Sequence, residues 1–124
     1  MTPKNVVGAW IEAFNAADVD TLVKLYAPHA VNDQVVFAEP LRGREAIRSM
    51  FEIEFGRAQM TCIEERLYEC GDTAILQWRD PTGLRGCGFF QVKDGQIVHQ
   101  TGYFDQLSFF RQQGISVPET YLET

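Results

Sequence analysis

The feature that most constrains the fold is the turn sequence "DPTG", residues 80–83, which lies between two stretches of strand-like composition. Pro81 presets the backbone angle for the first turn position, and Gly83 readily adopts a positive φ. A three-residue loop, Pro81-Thr82-Gly83, is therefore predicted to join two antiparallel strands in a hairpin.

The register of this hairpin decides which side chains share a face of the sheet. With Asp80 opposite Leu84, Trp78 lies opposite Gly86, which leaves room for the indole ring. The inner face then carries a mostly apolar set with one carboxylate: Leu76, Trp78, Asp80, Leu84, Gly86, Gly88 and Phe90. The outer face carries both arginines: Ile75, Gln77, Arg79, Arg85, Cys87 and Phe89. We expect the inner glycines to leave a hollow suited to a small molecule.

The rest of the chain shows helices first and strands afterwards. Helical spacing and capping residues predict helices from Pro3, after Asp18 as far as Pro28, from Gly43 or Arg44 to Gly56, and from Asp105 to Gly114. Alternation bounded by turn residues predicts strands over residues 30–37, 60–67, 73–80, 84–93 and 96–104. This order predicts an α+β fold with a mostly antiparallel sheet. The tail, residues 115–124, is expected to be irregular.

The second hairpin, "VKDGQIV", permits two registers. A two-residue turn, Asp94-Gly95, would place His99 on the inner face. A three-residue loop that includes Lys93 would instead place an inner set of Gln100, Gly102 and Phe104. We favour the second, because a glycine and an aromatic match the lining of the first hairpin, and His99 is then expected to point outward.

Asp80 has two interpretations. It can be a turn residue that accepts backbone N–H bonds, or a carboxylate that orients a ligand or transfers a proton. Burial beside Trp78 would raise its pKa and suit it to acid–base work.

Other candidate ligand contacts lie on the first strand and among the aromatic residues. Asn32 and Gln34 share one face of the strand. They are either hydrogen-bonding groups of a pocket or residues on the solvent-exposed face of an edge strand. Trp10 is expected mainly in the core, and Phe104 on the pocket lining. Asp33 falls on the opposite face from Asn32.

Composition excludes several classes of protein. The 124 residues, 45% of them hydrophobic, suit a single domain over residues 1–124. The net charge of −6 without a basic stripe argues against nucleic acid. No apolar run is long enough to cross a membrane, and the start lacks a secretion-signal pattern, so a cytoplasmic protein is expected. Three cysteines without metal-ligand spacing predict buried or half-buried free thiols. No metal or cofactor is expected.

Three segments resemble the nuclear transport factor 2-like superfamily, and within it the SnoaL-like and limonene-epoxide-hydrolase-like branch. They are "NVVGAWIEAFNAADVDTLVKLYAPHAV", "LRGREAIRSMFE" and "GFFQVKDGQIVHQTGYFDQL". The resemblance covers about residues 3–114. It implies a cone in which a strongly curved sheet wraps around helices and encloses a pocket, and it implies a homodimer.

The resemblance does not carry over a complete catalytic set. Against the Asp-Arg-Asp set of limonene epoxide hydrolases, Asp80 matches the first aspartate, but Trp78 replaces the arginine and Gly102 the second aspartate. Asn32 and Gln34 fall at the positions that hold the water. Against ketosteroid isomerases, none of the three positions matches: Trp10 falls at the tyrosine, Gln34 near the base and Gly88 at the acidic partner.

Two functions therefore remain open. One is an isomerase, cyclase or hydrolase that acts on a small apolar molecule with Asp80 as lone acid or base. The other is a non-catalytic module that binds an apolar ligand or serves as a dimeric scaffold.

Overall fold

The computed structural model describes residues 1–117, and within them the chain forms four helices and six strands. Their bounds are α1 Pro3–Asn15, α2 Val19–Lys24, β1 Tyr26–Gln34, β2 Leu41–Arg42, α3 Arg44–Arg57, β3 Ile63–Cys70, β4 Thr73–Arg79, β5 Arg85–Lys93, β6 Gln96–Phe104 and α4 Gln106–Gln113. This order confirms the predicted α+β class. Residues 118–124 of the tail that was expected to be irregular lie outside the described residues.

The six strands form one curved, open sheet in the order β2-β1-β6-β5-β4-β3. β1 and β6 pair in parallel, and the other neighbouring strands pair antiparallel. Because β2 and β3 are the two edges and do not pair with each other, the sheet does not close into a barrel. The prediction of a mostly antiparallel sheet is confirmed.

The predicted boundary between α2 and the first strand is wrong. Helix α2 ends at Lys24, and β1 already begins at Tyr26 because Tyr26 pairs with Ile97 of β6. Pro28, expected to end the helix, lies within the strand. It falls in the stretch where the β1–β6 register shifts, so its missing N–H removes no regular ladder bond.

Three smaller boundaries also differ from the predictions. The loop expected after β1 contains the short strand β2, in which Leu41 pairs with Asn32. Helix α3 includes Gly56 and ends one residue later, and β3 begins at Ile63 rather than at residue 60. Boundaries of this kind depend on hydrogen bonds to distant segments, which local propensity does not describe.

The core lies between the concave face of the sheet and helices α1 and α3. Helix α1 begins with a reciprocal capping box between Thr2 and Asn5. The side chains buried at helical spacing on α1 and α3 are Val6, Val7, Trp10, Ala13, Ile47 and Phe51. Within residues 1–117 no helix is both long and apolar enough to cross a membrane.

The cysteine prediction is correct for two of the three thiols. Cys62 is buried and Cys87 is half-buried, but Cys70 is exposed because it ends the edge strand β3. Burial, assisted by the nearby Glu64, raises the pKa of the Cys62 thiol to about 12. The backbone N–H and C=O of Cys62 bond to the side chain of Asn15, at 2.7 and 2.9 Å, which ties the end of α1 to the segment before β3.

Candidate functional site

The β4–β5 hairpin has the predicted register, with Trp78 opposite Gly86. A Cβ atom at Gly86 would lie 2.5 Å from Cζ2 of Trp78, so the indole ring rests directly on the glycine backbone. Trp78 is half-buried, whereas Arg79 and Arg85 are exposed on the other face. The assignment of the two faces is therefore confirmed.

In the β5–β6 hairpin the side chains of β6 lie on the predicted faces of the sheet, but the loop is not the predicted one. Its turn has two residues, Asp94 and Gly95, with φ of 52° and 77°, so the three-residue loop that we favoured is wrong. A β-bulge at Val98 adds one residue to β6 and shifts the alternation of faces. Gln100 is therefore buried on the concave face and His99 is exposed.

A buried chain of hydrogen bonds joins three elements on this concave face. The indole Nε1 of Trp10 on α1 donates to the hydroxyl of Tyr26 on β1 at 2.9 Å. The Tyr26 hydroxyl in turn donates to Oε1 of Gln100 on β6. Tyr26 is fully buried, and this burial raises the pKa of its phenol far above the ordinary value, so the hydroxyl keeps its proton.

Two further amides lie beside this chain. Gln34 Nε2 donates to Asn32 Oδ1 at 2.8 Å, and Asn32 is 2% exposed. The Gln34 amide lies against Gly102, where its oxygen occupies the position that a Cβ atom would take. Because Asn32 pairs with Gln100 and Gln34 with Gly102, the three amides form one neutral polar patch on β1 and β6.

Asp80 is a turn residue in this structure. Its Oδ1 accepts hydrogen bonds from Thr82 N at 2.9 Å, Thr82 Oγ1 at 2.6 Å and Leu84 N at 3.0 Å. Asp80 is half-buried, at the end of the hairpin that carries Trp78. A proton transfer by Asp80 would have to use Oδ2 or disrupt the turn, and its acid–base role stays a prediction.

Phe104 and helix α4 lie at the same end of the sheet as Asp80. The ring of Phe104 lies 6.3 Å from the ring of Trp78 and 5.8 Å from that of Phe109 on α4. The side-chain oxygen of Gln112 on α4 lies 3.1 Å from Thr82 Oγ1, whose proton is donated to Asp80. Helix α4 therefore borders the end of the concave face where Trp78 and Phe104 meet.

A family model described as the SnoaL-like domain matches residues 7–100. The chain belongs to the SnoaL-like domain family. Asn32, Gln34 and Gln100 lie within the matched residues, and the sequence resemblance is confirmed. No curated protein sequence matches the chain.

Solved structures show the same fold at low identity. A protein from Catenulispora acidiphila with a ketosteroid isomerase-like fold, in complex with trimethylamine, is 18% identical, with 95% of this chain and 100% of that chain covered and a TM-score of 0.82. IdmH from Streptomyces antibioticus, a proposed polyketide cyclase, is 23% identical over 93% and 100% of the two chains, with a TM-score of 0.77. An epoxide hydrolase from M. tuberculosis that resembles limonene epoxide hydrolase is 23% identical over 87% and 86%, with a TM-score of 0.77.

The predicted site residues of this SnoaL-like domain fall into two groups. Trp10, Asn32 and Gln34 belong to the amide patch and its hydrogen-bond chain, whereas Trp78 and Phe104 contact each other near α4. Sequence reasoning placed Gln100 on the inner face but not in the site, and the helix predicted to extend as far as Pro28 included Tyr26. The alternation of Gln100, Gly102 and Phe104 along β6 was the local signal for Gln100, whereas no local pattern pointed to Tyr26.

Two surface hollows lie outside the concave face. One, of about 320 Å³, is on the outer face of the sheet and is lined by Thr73, Phe89, Gln91, His99, Thr101 and Tyr103. The other, of about 300 Å³, lies at the start of α3 beside Arg42 and Arg44. The Arg44 guanidinium donates to the backbone oxygen of Tyr26, so it supports β1. Within residues 1–117 no three His, Cys, Asp or Glu side chains gather into a metal-binding group.

Proposed function

We propose that this SnoaL-like domain binds one small, largely apolar molecule against the concave face of its sheet. The observation that carries the proposal is the patch formed by Asn32, Gln34 and Gln100 in an otherwise apolar core. Trp10, Trp78 and Phe104 are proposed as the aromatic surroundings of the ligand. Pockets that bind small molecules typically combine such apolar walls with a few placed polar groups.

Physical cost supports a functional role for the amides. A buried amide without a partner destabilises a protein by about 1–3 kcal/mol, and aliphatic side chains would fill the same space without that risk. Asn32 is 2% exposed and Gln100 is 5% exposed, and both are held by hydrogen bonds. A chain that needed only a core would have little reason to place amides there.

Ligand entry in this proposal requires side chains to move. The Gln34 side chain covers Gly102 and the Trp78 side chain covers Gly86, so the space over these two glycines on the concave face is already filled. Both covering side chains are half-buried rather than fully enclosed, which leaves them space to rotate outward. We expect a ligand to displace one or both of them.

The test is binding to the full chain, detected by native mass spectrometry and by thermal shift with epoxides, steroid enones and polyketide-like ketones. A ligand at about 100 times its Kd should stabilise the fold by about 2.7 kcal/mol. Gln34→Leu should weaken that ligand about tenfold, because it removes one amide from the inner patch. Gln77→Leu is the matched control, since Gln77 is an exposed amide on the outer face. Equal losses in both variants, or no ligand for the wild type, would contradict the proposal.

A second candidate is catalysis by Asp80 as lone acid or base. Two features of Asp80 favour this candidate. The hydrogen bonds of the turn use its Oδ1 atom, and Asp80 follows the strand that places Trp78 on the concave face. Isomerisation, cyclisation or hydrolysis would then be the reaction class. The known family sets are incomplete in this chain, so ligand binding remains the first proposal.

We also propose that the outer face of the sheet pairs with a second copy of the chain. A row of uncharged side chains crosses this face through the register of four strands: Tyr68, Ile75, Phe89 and Thr101. Phe89 and Tyr103, 39% and 45% exposed, stack edge to face at 6.0 Å. An exposed aromatic patch with few charges at its centre is typical of the core of a protein interface.

The cysteines support a cytoplasmic location. Cys62, Cys70 and Cys87 are all free thiols. Reducing compartments keep thiols in this state, whereas secreted proteins of this size commonly carry disulfides. We therefore keep the cytoplasm as the proposed location.

A further inference from the structure

A histidine, His99, lies on the outer face of the sheet, which we propose as the dimer interface. His99 is exposed and lines the hollow of about 320 Å³ on this face, together with the rings of Phe89 and Tyr103. Its Nδ1 atom lies 3.4 Å from the hydroxyl oxygen of Thr101. A second copy of the chain that covers Phe89 and Tyr103 therefore covers His99 as well.

The residues beside His99 in the strand register are uncharged. Its row continues through Gln91 and Thr73 on one side and reaches Val31 on the other. The neighbouring row contains Phe89 at its centre. Pairing of two copies would place a positive charge on His99 among these side chains, and burial of a charge without an opposite charge is costly.

The charged groups around His99 occur as pairs of opposite sign. Asp33 of β1 and Arg42 of β2 lie on the side of the short edge strand. Asp72, in the turn between β3 and β4, and Lys93, at the end of β5, interact with each other on the opposite side. Because each pair sums to zero, these neighbours give little net preference to a charged His99.

We propose that His99 makes the outer-face dimer depend on pH: the copies pair when His99 is neutral and separate when it is protonated. This inference rests on the proposed dimer and concerns its regulation. Histidine is the residue type that changes charge between pH 5 and 8, whereas tyrosines such as Tyr103 and cysteines titrate at higher pH and carboxylates at lower pH. If the dimer keeps His99 neutral, the monomer binds more protons, so the affinity between copies falls as the pH falls.

The experiment measures the dimer dissociation constant of the full chain at pH 8 and at pH 6, at one ionic strength, by analytical ultracentrifugation. The dissociation constant of the wild type should be about tenfold higher at pH 6, because one proton in each copy opposes pairing. The net charge of −6 becomes smaller at pH 6, which reduces repulsion between copies. A weaker dimer at pH 6 is thus opposite to the effect of overall charge.

Three variants separate His99 from other causes. His99→Gln is neutral throughout, so its dimer should have the same affinity at both pH values. His99→Lys is charged throughout, so its dimer should be weak already at pH 8. His29→Gln is the matched control, because His29 is the other histidine of the chain, is exposed and does not line the hollow. It should keep the pH dependence of the wild type.

Three results would overturn the inference. An equal or higher affinity of the wild type at pH 6 would refute the role of His99 and leave the dimer standing. Retention of the wild-type pH dependence in His99→Gln would do the same. A wild type that is monomeric at pH 8 would refute both the dimer and its regulation. Circular dichroism at both pH values checks the fold of each variant.

Discussion

Trp78 and Gly86 show how one pair of residues shapes the concave face. A Cβ atom at Gly86 would lie 2.5 Å from both the Trp78 ring and the backbone oxygen of Tyr103. Because that oxygen belongs to the β5–β6 ladder and cannot move freely, a larger residue must displace the indole and the strand together.

Gly86→Ala is therefore expected to lower the free energy of unfolding by about 1–3 kcal/mol, as overpacking does. Gly8→Ala is the matched control, since nothing lies within 4 Å of a Cβ there and the residue is in helix α1. It should raise the free energy of unfolding by up to about 1 kcal/mol. Urea denaturation of both variants checks the prediction, and equal effects would show that Trp78 does not rest on Gly86.

A substitution of Asp80 distinguishes a catalytic domain from one that only binds a ligand. Asp80→Asn keeps an Oδ1 acceptor for the bonds from Thr82 and Leu84, so the turn and the melting temperature should change little. If Asp80 is a general base, turnover of a substrate should fall about 100-fold or more. If the domain only binds its ligand, affinity should stay within about twofold. Calorimetry and single-turnover kinetics on the same variant distinguish the two.

At the scale of elements, the β5–β6 hairpin determines which side of β6 faces the core. Its two-residue turn has Gly95 at a φ of 77°, a conformation that side chains with a Cβ adopt at a cost. The bulge at Val98 then places Gln100 on the concave face of the sheet.

Gly95→Ala should lower the free energy of unfolding by about 1 kcal/mol, because the turn needs a positive φ at this position. Gly56→Ala provides the contrast. Gly56 lies in helix α3 with open space around it, so alanine should be neutral or stabilising there. Thermal unfolding followed by circular dichroism measures both. A destabilisation of similar size in the two variants would argue against the turn as the cause.

At the scale of the whole molecule, the open question is assembly through the outer face. Phe89→Asp places a charge at the centre of the proposed interface and should convert a dimer into a monomer of 14.1 kDa. Ile53→Asp is the matched control, because Ile53 is 59% exposed on helix α3, away from the sheet. Light scattering at micromolar concentration gives both masses. A wild-type monomer would refute the dimer, and an unchanged dimer in Phe89→Asp would refute this interface.

Local patterns predicted those parts of the fold that depend on neighbours in sequence. The "DPTG" turn predicted the β4–β5 register, and the register placed Trp78 opposite Gly86 and turned Arg79 and Arg85 outward. Capping by Thr2, Asp18 and Asp105 was likewise readable from the sequence. These features follow from turn stereochemistry and from the alternation of side chains along a strand.

The arrangement of the candidate site was decided by tertiary structure. Tyr26 was expected in a helix, yet it joins Gln100, 74 positions away, through a hydrogen bond that only the parallel β1–β6 pairing makes possible. The facing of Gln100 was predicted correctly from a wrong loop, because the bulge at Val98 compensates for the shorter turn. Sequence alone thus determined the hairpin that shapes the concave face. Long-range strand pairing determined which amides meet there, because contacts between segments far apart in sequence depend on how those segments pair and pack and not on local propensity.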